Sequence, residues 1–105
     1  MYNDLTITIE INGLRNKLLI IRGGKGIISN DRIVNISDDD LDNFFRIISN
    51  WNSEYISNNG IDNEETIINI DKKRCIIRGD YPYNYNEFIE WMDDIYARWK
   101  DTKSI

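Results

Sequence analysis

The chain has 105 residues, no histidine, one cysteine and a formal net charge of −5, a length suited to one domain around one core. Hydrophobic residues at 41% with 11% aromatics exclude a disordered polymer, and the lack of imidazole excludes Ser-His-Asp and Cys-His catalysis. One cysteine without histidine also leaves no ordinary zinc site and no intrachain disulfide.

The longest apolar run, Leu18-Leu-Ile-Ile21, is far too short to span a bilayer. The opening Met1-Tyr-Asn-Asp-Leu-Thr lacks the basic start and apolar stretch of a secretory signal, so the expectation is a cytoplasmic protein without a membrane partner. Cys75, inside Cys75-Ile-Ile77, reads as a small buried hydrophobe rather than a nucleophile. Isoleucine occurs 21 times and asparagine 14 times. Both have AT-rich codons, which points to a low-GC bacterium or one of its phages, and β-branched isoleucine favours sheet.

Leu5-Thr-Ile-Thr-Ile-Glu-Ile11 alternates strictly, the pattern of a half-buried strand. Asn12-Gly13 follows as a two-residue turn signal, which predicts pairing of Ile11 with Leu14, Ile7 with Leu18 and Leu5 with Ile20, with Asn16 opposite Ile9. Gly23-Gly-Lys-Gly26 breaks the second strand, and Ile27-Ile28 and Ile33-Val-Asn-Ile36 predict a third strand with a possible fourth fragment.

Ser37 and Asp40 stand at capping-box spacing, with Ile36 and Leu41 placed as a hydrophobic staple. Leu41, Phe44, Phe45, Ile48, Trp51 and Tyr55 then recur at helical steps, predicting one helix that ends at Asn58-Asn59-Gly60. Thr66-Ile-Ile-Asn-Ile70, a turn at 71–73 and Arg74-Cys-Ile-Ile-Arg78 predict a second hairpin. Asn84 with Glu87 repeats the capping-box spacing, Tyr83 with Phe88 the staple. They announce a second helix from about Tyr85 to Trp99, with Trp91 at the margin of its apolar stripe. The expected fold is α+β, a single domain over 1–105. Its antiparallel sheet has about five strands in the order β-β-β-α-β-β-α, with two amphipathic helices on one face.

Motifs for chemistry are weak. Gly23-Gly-Lys-Gly26 is followed by strand-like Ile27-Ile28 rather than by the Ser/Thr and helix of a phosphate loop. Counted from Asp38, the sixth and twelfth positions are Asn43 and Ser49, not the Gly and Glu of an EF-hand. The carboxylate pairs Glu87/Glu90 and Asp93/Asp94 fall on a polar helix face. No catalytic residue, metal site or cofactor is expected.

Charge is unevenly distributed. Residues 1–36 are net +2 and residues 72–105 net +1, whereas 37–71 carry nine acids against Arg46 alone, net −8. A field of one sign steers an oppositely charged partner and speeds association. Lys72-Lys73-Arg74 with Arg78 form a basic cluster at a hairpin tip, but an acidic chain of pI 4.6 argues against a nucleic-acid partner.

The segment Ile76-Ile-Arg-Gly-Asp-Tyr-Pro-Tyr-Asn-Tyr-Asn-Glu-Phe-Ile-Glu-Trp resembles the C-terminal strand, Gly-x-Tyr-Pro-x-Asn-Tyr/Phe-x-x-Phe and helix of small bacterial proteins, some of them immunity-like. The match covers about a third of the chain and lacks the Gly-x-x-Trp that opens the preceding hairpin in those proteins. The resemblance implies fold and transfers no site residues. The expected function is a non-catalytic inhibitor of a basic-surfaced protein, an immunity-type protein against a toxin or a phage inhibitor of a defence nuclease. Asp38, Asp39, Asp40, Asp42, Asp62, Glu64 and Glu65 are its candidate contacts. The alternative is a self-associating structural or regulatory domain using exposed Trp91 and Tyr81 and an open sheet edge.

Overall fold

The computed structural model describes residues 4–13, 16–28, 32–57 and 64–103. Four strands, β1 (Thr6–Asn12), β2 (Lys17–Arg22), β3 (Lys25–Ile28) and β4 (Arg32–Asn35), precede helix α1 (Asp38–Ile48). Three more strands, β5 (Glu54–Ile56), β6 (Glu65–Ile70) and β7 (Lys73–Arg78), lead to helix α2 (Tyr85–Lys103). The fold is α+β, with one seven-stranded sheet in the order β4-β3-β2-β1-β6-β7-β5. The expected five antiparallel strands are thus seven, and the sheet is mixed because β5 runs parallel to β7.

The alternation of β1 is as read: Ile7, Ile9 and Ile11 are buried and Thr6, Thr8 and Glu10 only half so. Its partner is not in the expected register. Ile11 pairs with Lys17, Ile9 with Leu19 and Ile7 with Ile21, a slip of three residues that exchanges the faces of the second strand. The slip removes the one poor contact of the expected pairing. Leu19 and Ile21 reach the core at 0% and 1% exposure. Asn16 moves into the turn, where its Oδ1 accepts from the Gly13 amide at 3.1 Å. Leu14 lies outside the described residues.

Gly23 and Gly24, at φ 58° and 79°, make a two-residue turn between β2 and β3, as backbone with positive φ at both positions requires. The β6–β7 turn is also two residues, Asp71 and Lys72, with Ile70 paired to Lys73 and Asp71 at φ 49°.

Helix α1 starts where expected. Ser37 Oγ accepts from the Asp40 amide at 3.1 Å, and Asp40 Oδ2 accepts from the Ser37 amide at 2.8 Å. It stops far short of Asn58-Asn59-Gly60, a segment outside the described residues. Trp51 and Tyr55 keep helical spacing without being helical. The Trp51 indole N–H reaches Asn84 Oδ1 at 2.6 Å, and 54–56 form a strand along β7, whose edge would otherwise be open. The Ile76 amide donates to Ser53 O and the Ser57 amide to Arg78 O, each at 2.9 Å.

One face of the sheet, with Ile7, Ile9, Leu19, Ile21, Ile28, Val34 and Ile68, forms a single core with Leu41, Phe44 and Ile47 of α1 and Phe88, Met92 and Ile95 of α2. Both helices cover that face. Tyr96 ties α2 to β2: its hydroxyl accepts from the Leu18 amide at 2.8 Å and donates to the Leu18 carbonyl at 3.0 Å. Leu18 lies one residue beyond the stretch of β2 paired with β3, so the phenol supplies bonds a neighbouring strand would make. The molecule is 20 Å in its shortest dimension, one sheet and one helix layer thick. The other sheet face has no covering layer among the described residues.

Candidate functional site

The start of α1 gathers acid because a first helical turn stabilises negative charge. Asp38, Asp39 and Asp42 are exposed. Asp40 is not available in the same way. Its side chain is 14% exposed and bound to Arg98 of α2, with Nη2 to Oδ1 at 2.7 Å. The Arg98 guanidinium holds its carboxyl down at a pKa of about 2, against the opposing effect of burial. Arg98 also takes Asp94 at 2.8 Å, and the Trp91 indole N–H donates to the Asp40 carbonyl at 3.0 Å. Two helices therefore meet around one guanidinium.

This junction regroups the acidic residues. Glu90 and Asp94 are exposed on α2, two turns and one turn before Arg98 respectively, and Asp94 shares that cation with Asp40. They extend the acidic start of α1 onto the second helix. Neither was among the expected contacts, although the four-residue steps 90, 94 and 98 were legible. Glu65 lies elsewhere: it opens β6, four strands from β4, roughly 19 Å across the sheet, and pairs with Arg78 at 3.4 Å. Glu64 precedes it and is half-buried. Asp62 lies outside the described residues. Of the seven expected contacts, Asp38, Asp39, Asp40 and Asp42 stand together, and Asp40 is committed to holding the helices.

A second feature lies at the tip of the β6–β7 hairpin. Here α1 has ended, and a cleft of about 1140 Å³ opens among Phe45, Ile48, Trp51, Ile68, Ile70 and Cys75. Lys72, Lys73 and Arg74 edge it; all three are exposed and make no ion pair with another described residue. Lys17, Arg46, Arg78 and Arg98 do make such pairs. Cys75 is half-buried rather than enclosed. Its thiol donates to Asn52 O at 3.3 Å and burial raises its pKa, both of which keep the sulfur protonated and neutral.

The uncovered sheet face is the third feature. Its register places Leu18, Ile20, Ile27 and Ile33 toward one edge and Ile67, Ile76 and Ile56 toward the other. Ile33 and Ile56 are 61% and 42% exposed. The aromatics expected to be exposed are not. Trp91 is 8% exposed, held inward by its bond to Asp40 O, and half-buried Tyr81 leans on Tyr85 with centroids 4.9 Å apart.

No helix among the described residues is long and apolar enough to cross a membrane. No family model matches the chain, and neither the curated proteins nor the solved structures include a match to it.

Proposed function

We propose that this chain is a non-catalytic binding protein, of immunity type, which neutralises a basic-surfaced protein in the cytoplasm by covering it. A toxin nuclease, or a defence nuclease met by a phage inhibitor, presents such a surface. The observation that carries the reading is the acidic helix layer: exposed Asp38, Asp39 and Asp42 on α1 and Glu90 and Asp94 on α2, two helices joined where Arg98 bonds Asp40 and Asp94. Ser37 and Asp40 already supply the cap of α1, so Asp38 and Asp39 remain on the solvent side, unpaired among the described residues. A fixed field of that kind favours fast encounter with a cationic partner.

The test uses the whole chain as bait in the native cell extract, beside an Asp38→Lys, Asp39→Lys, Asp42→Lys variant. A basic protein should be retained by the parent, released as salt is raised, and bound at least tenfold more weakly by the variant. Retention independent of both salt and charge reversal would sink the proposal.

The exposed Ile33 and Ile56 favour a second reading, a self-associating structural or regulatory domain joined through the open sheet face. Sedimentation over a concentration series separates the two: a stable homodimer that Ile33→Lys dissociates supports the second, a monomer the first.

A further inference from the structure

We infer that the cleft at the β6–β7 tip is a binding site for a small anionic amphiphile, a molecule with an aliphatic or aromatic body and a carboxylate head. The inference is independent of the acidic helix layer, which lies at the junction of α1 with Arg98. The apolar floor comes from the fold. Ile68, Ile70 and Cys75 occupy inner-face positions of the hairpin, and at this end the helix layer offers them only the last turn of α1 and Trp51. Ile70, Cys75, Phe45, Ile48 and Trp51 are consequently half-buried rather than enclosed.

The edge sets the sign of the occupant. Lys73 pairs with Ile70 and so springs from the inner face, its alkyl stem rising from the apolar floor toward solvent. Lys72 sits in the turn beside it, and Arg74 follows. Asp71, the one acid among the described lining residues, accepts from the Thr6 amide through Oδ1 at 3.5 Å and sets a single negative charge against the three positive ones of Lys72, Lys73 and Arg74. The opposite wall is neutral, made of Ser49, Asn52, Ser53 and the protonated Cys75 thiol. An apolar body on the floor with an anionic head between the lysines satisfies both, and a cationic head satisfies neither. The volume, about 1140 Å³, exceeds that of most small-ligand pockets, so chain length is accommodated rather than limited.

The experiment titrates the full chain with octanoate, decanoate and dodecanoate below their micellar concentrations, and with dodecyltrimethylammonium as the cationic control. Heat by calorimetry reports binding, as does tryptophan fluorescence, to which Trp51 in the cleft contributes beside Trp91 and Trp99. Dodecanoate should bind saturably at one per chain and at least tenfold more tightly than octanoate, since each methylene removed from water adds to affinity. The ammonium amphiphile should bind at least tenfold more weakly than dodecanoate. A Lys72→Glu, Lys73→Glu variant, whose changes are confined to exposed side chains, should lose at least tenfold for dodecanoate while melting as the parent does. No saturable binding of dodecanoate, equal binding of the ammonium amphiphile, or undiminished binding by the charge-reversed variant would each overturn the inference.

Discussion

Helices α1 and α2 begin with the same arrangement, a capping side chain and an acid three residues later, yet only α1 uses it. At α1, Ser37 and Asp40 exchange both bonds of the capping box. At α2, the Asn84 side chain turns away from its own helix. Its Oδ1 accepts from the Trp51 indole and its Nδ2 donates to the Ile47 carbonyl at 2.8 Å. Glu87 bonds Arg46 of α1 at 3.1 Å instead of returning to the cap. The start of α2 is closed by backbone alone, with the Tyr85 amide on Pro82 O and the Glu87 amide on Asn84 O, both 3.1 Å. Tertiary demand decides the difference. Arg98 wants the Asp40 carboxylate where the cap of α1 already holds it, so local and global preferences agree. At Asn84 they conflict: the end of α1 leaves the Ile47 carbonyl and Trp51 N–H in need of partners, and one amide side chain serves both.

The sharpest way to break that contrast is Asn84→Asp. As an N-cap, Asp equals Asn; as a clamp on Ile47 O and Trp51, it lacks the donor and sets a carboxylate against a carbonyl. The expected loss is about 2 kcal/mol, read from urea unfolding, against about 1 kcal/mol for Ser37→Ala at α1. A cost for Asn84→Asp below that of Ser37→Ala would mean that Asn84 acts as a cap after all.

Next in size is the acid dependence of Asp40. Its pKa falls from 3.8 to about 2 in the folded chain, so on acidification the unfolded chain takes up this proton first. The stabilisation is complete above about pH 4 and is lost as pH falls toward 2. With Arg98 one-third exposed, it amounts to about 1–2 kcal/mol. Chemical denaturation from pH 5 to pH 2 should show this loss in the parent and a correspondingly smaller one in Asp40→Asn. Parallel profiles would place the stabilisation elsewhere than in the Asp40–Arg98 pair.

The same opposition explains what was legible beforehand. The strand of Ile7, Ile9 and Ile11 and the start of α1 could be read because local pattern and tertiary role coincide. The β1–β2 register could not, since Asn12-Gly13 suggests a tight turn while burial of Leu19 and Ile21 demands a longer one. Strand β5 was hidden because Trp51 and Tyr55 reach inward at a spacing that also suits a helix. At the candidate site, Asp38, Asp39 and Asp42 were legible as a solvated helix start. The contribution of Glu90 and Asp94 depended on knowing that Arg98 abuts Asp40. The cleft depended on where α1 stops, a boundary set by Asn84, 33 residues beyond Trp51.

The smallest effect sharpens the comparison at the residue before each cap. Ile36, ahead of Ser37, is 4% exposed and lies in the same core as Leu41 at 2%, so both staple positions of α1 are buried. Tyr83, ahead of Asn84, is 85% exposed while Phe88 is fully buried, so the corresponding contact is not made. Phe88 is instead packed by Trp51, Tyr85 and Phe44, with centroids 5.6, 5.8 and 6.5 Å away. Tyr83→Ala should therefore change stability by less than about 0.5 kcal/mol, as a surface substitution does, whereas Ile36→Ala should cost about 2 kcal/mol or more. Thermal or urea unfolding of the two variants measures both. A loss at Tyr83 approaching that at Ile36 would show the ring lying over Phe88 in solution, and the starts of the two helices would then differ in the cap alone.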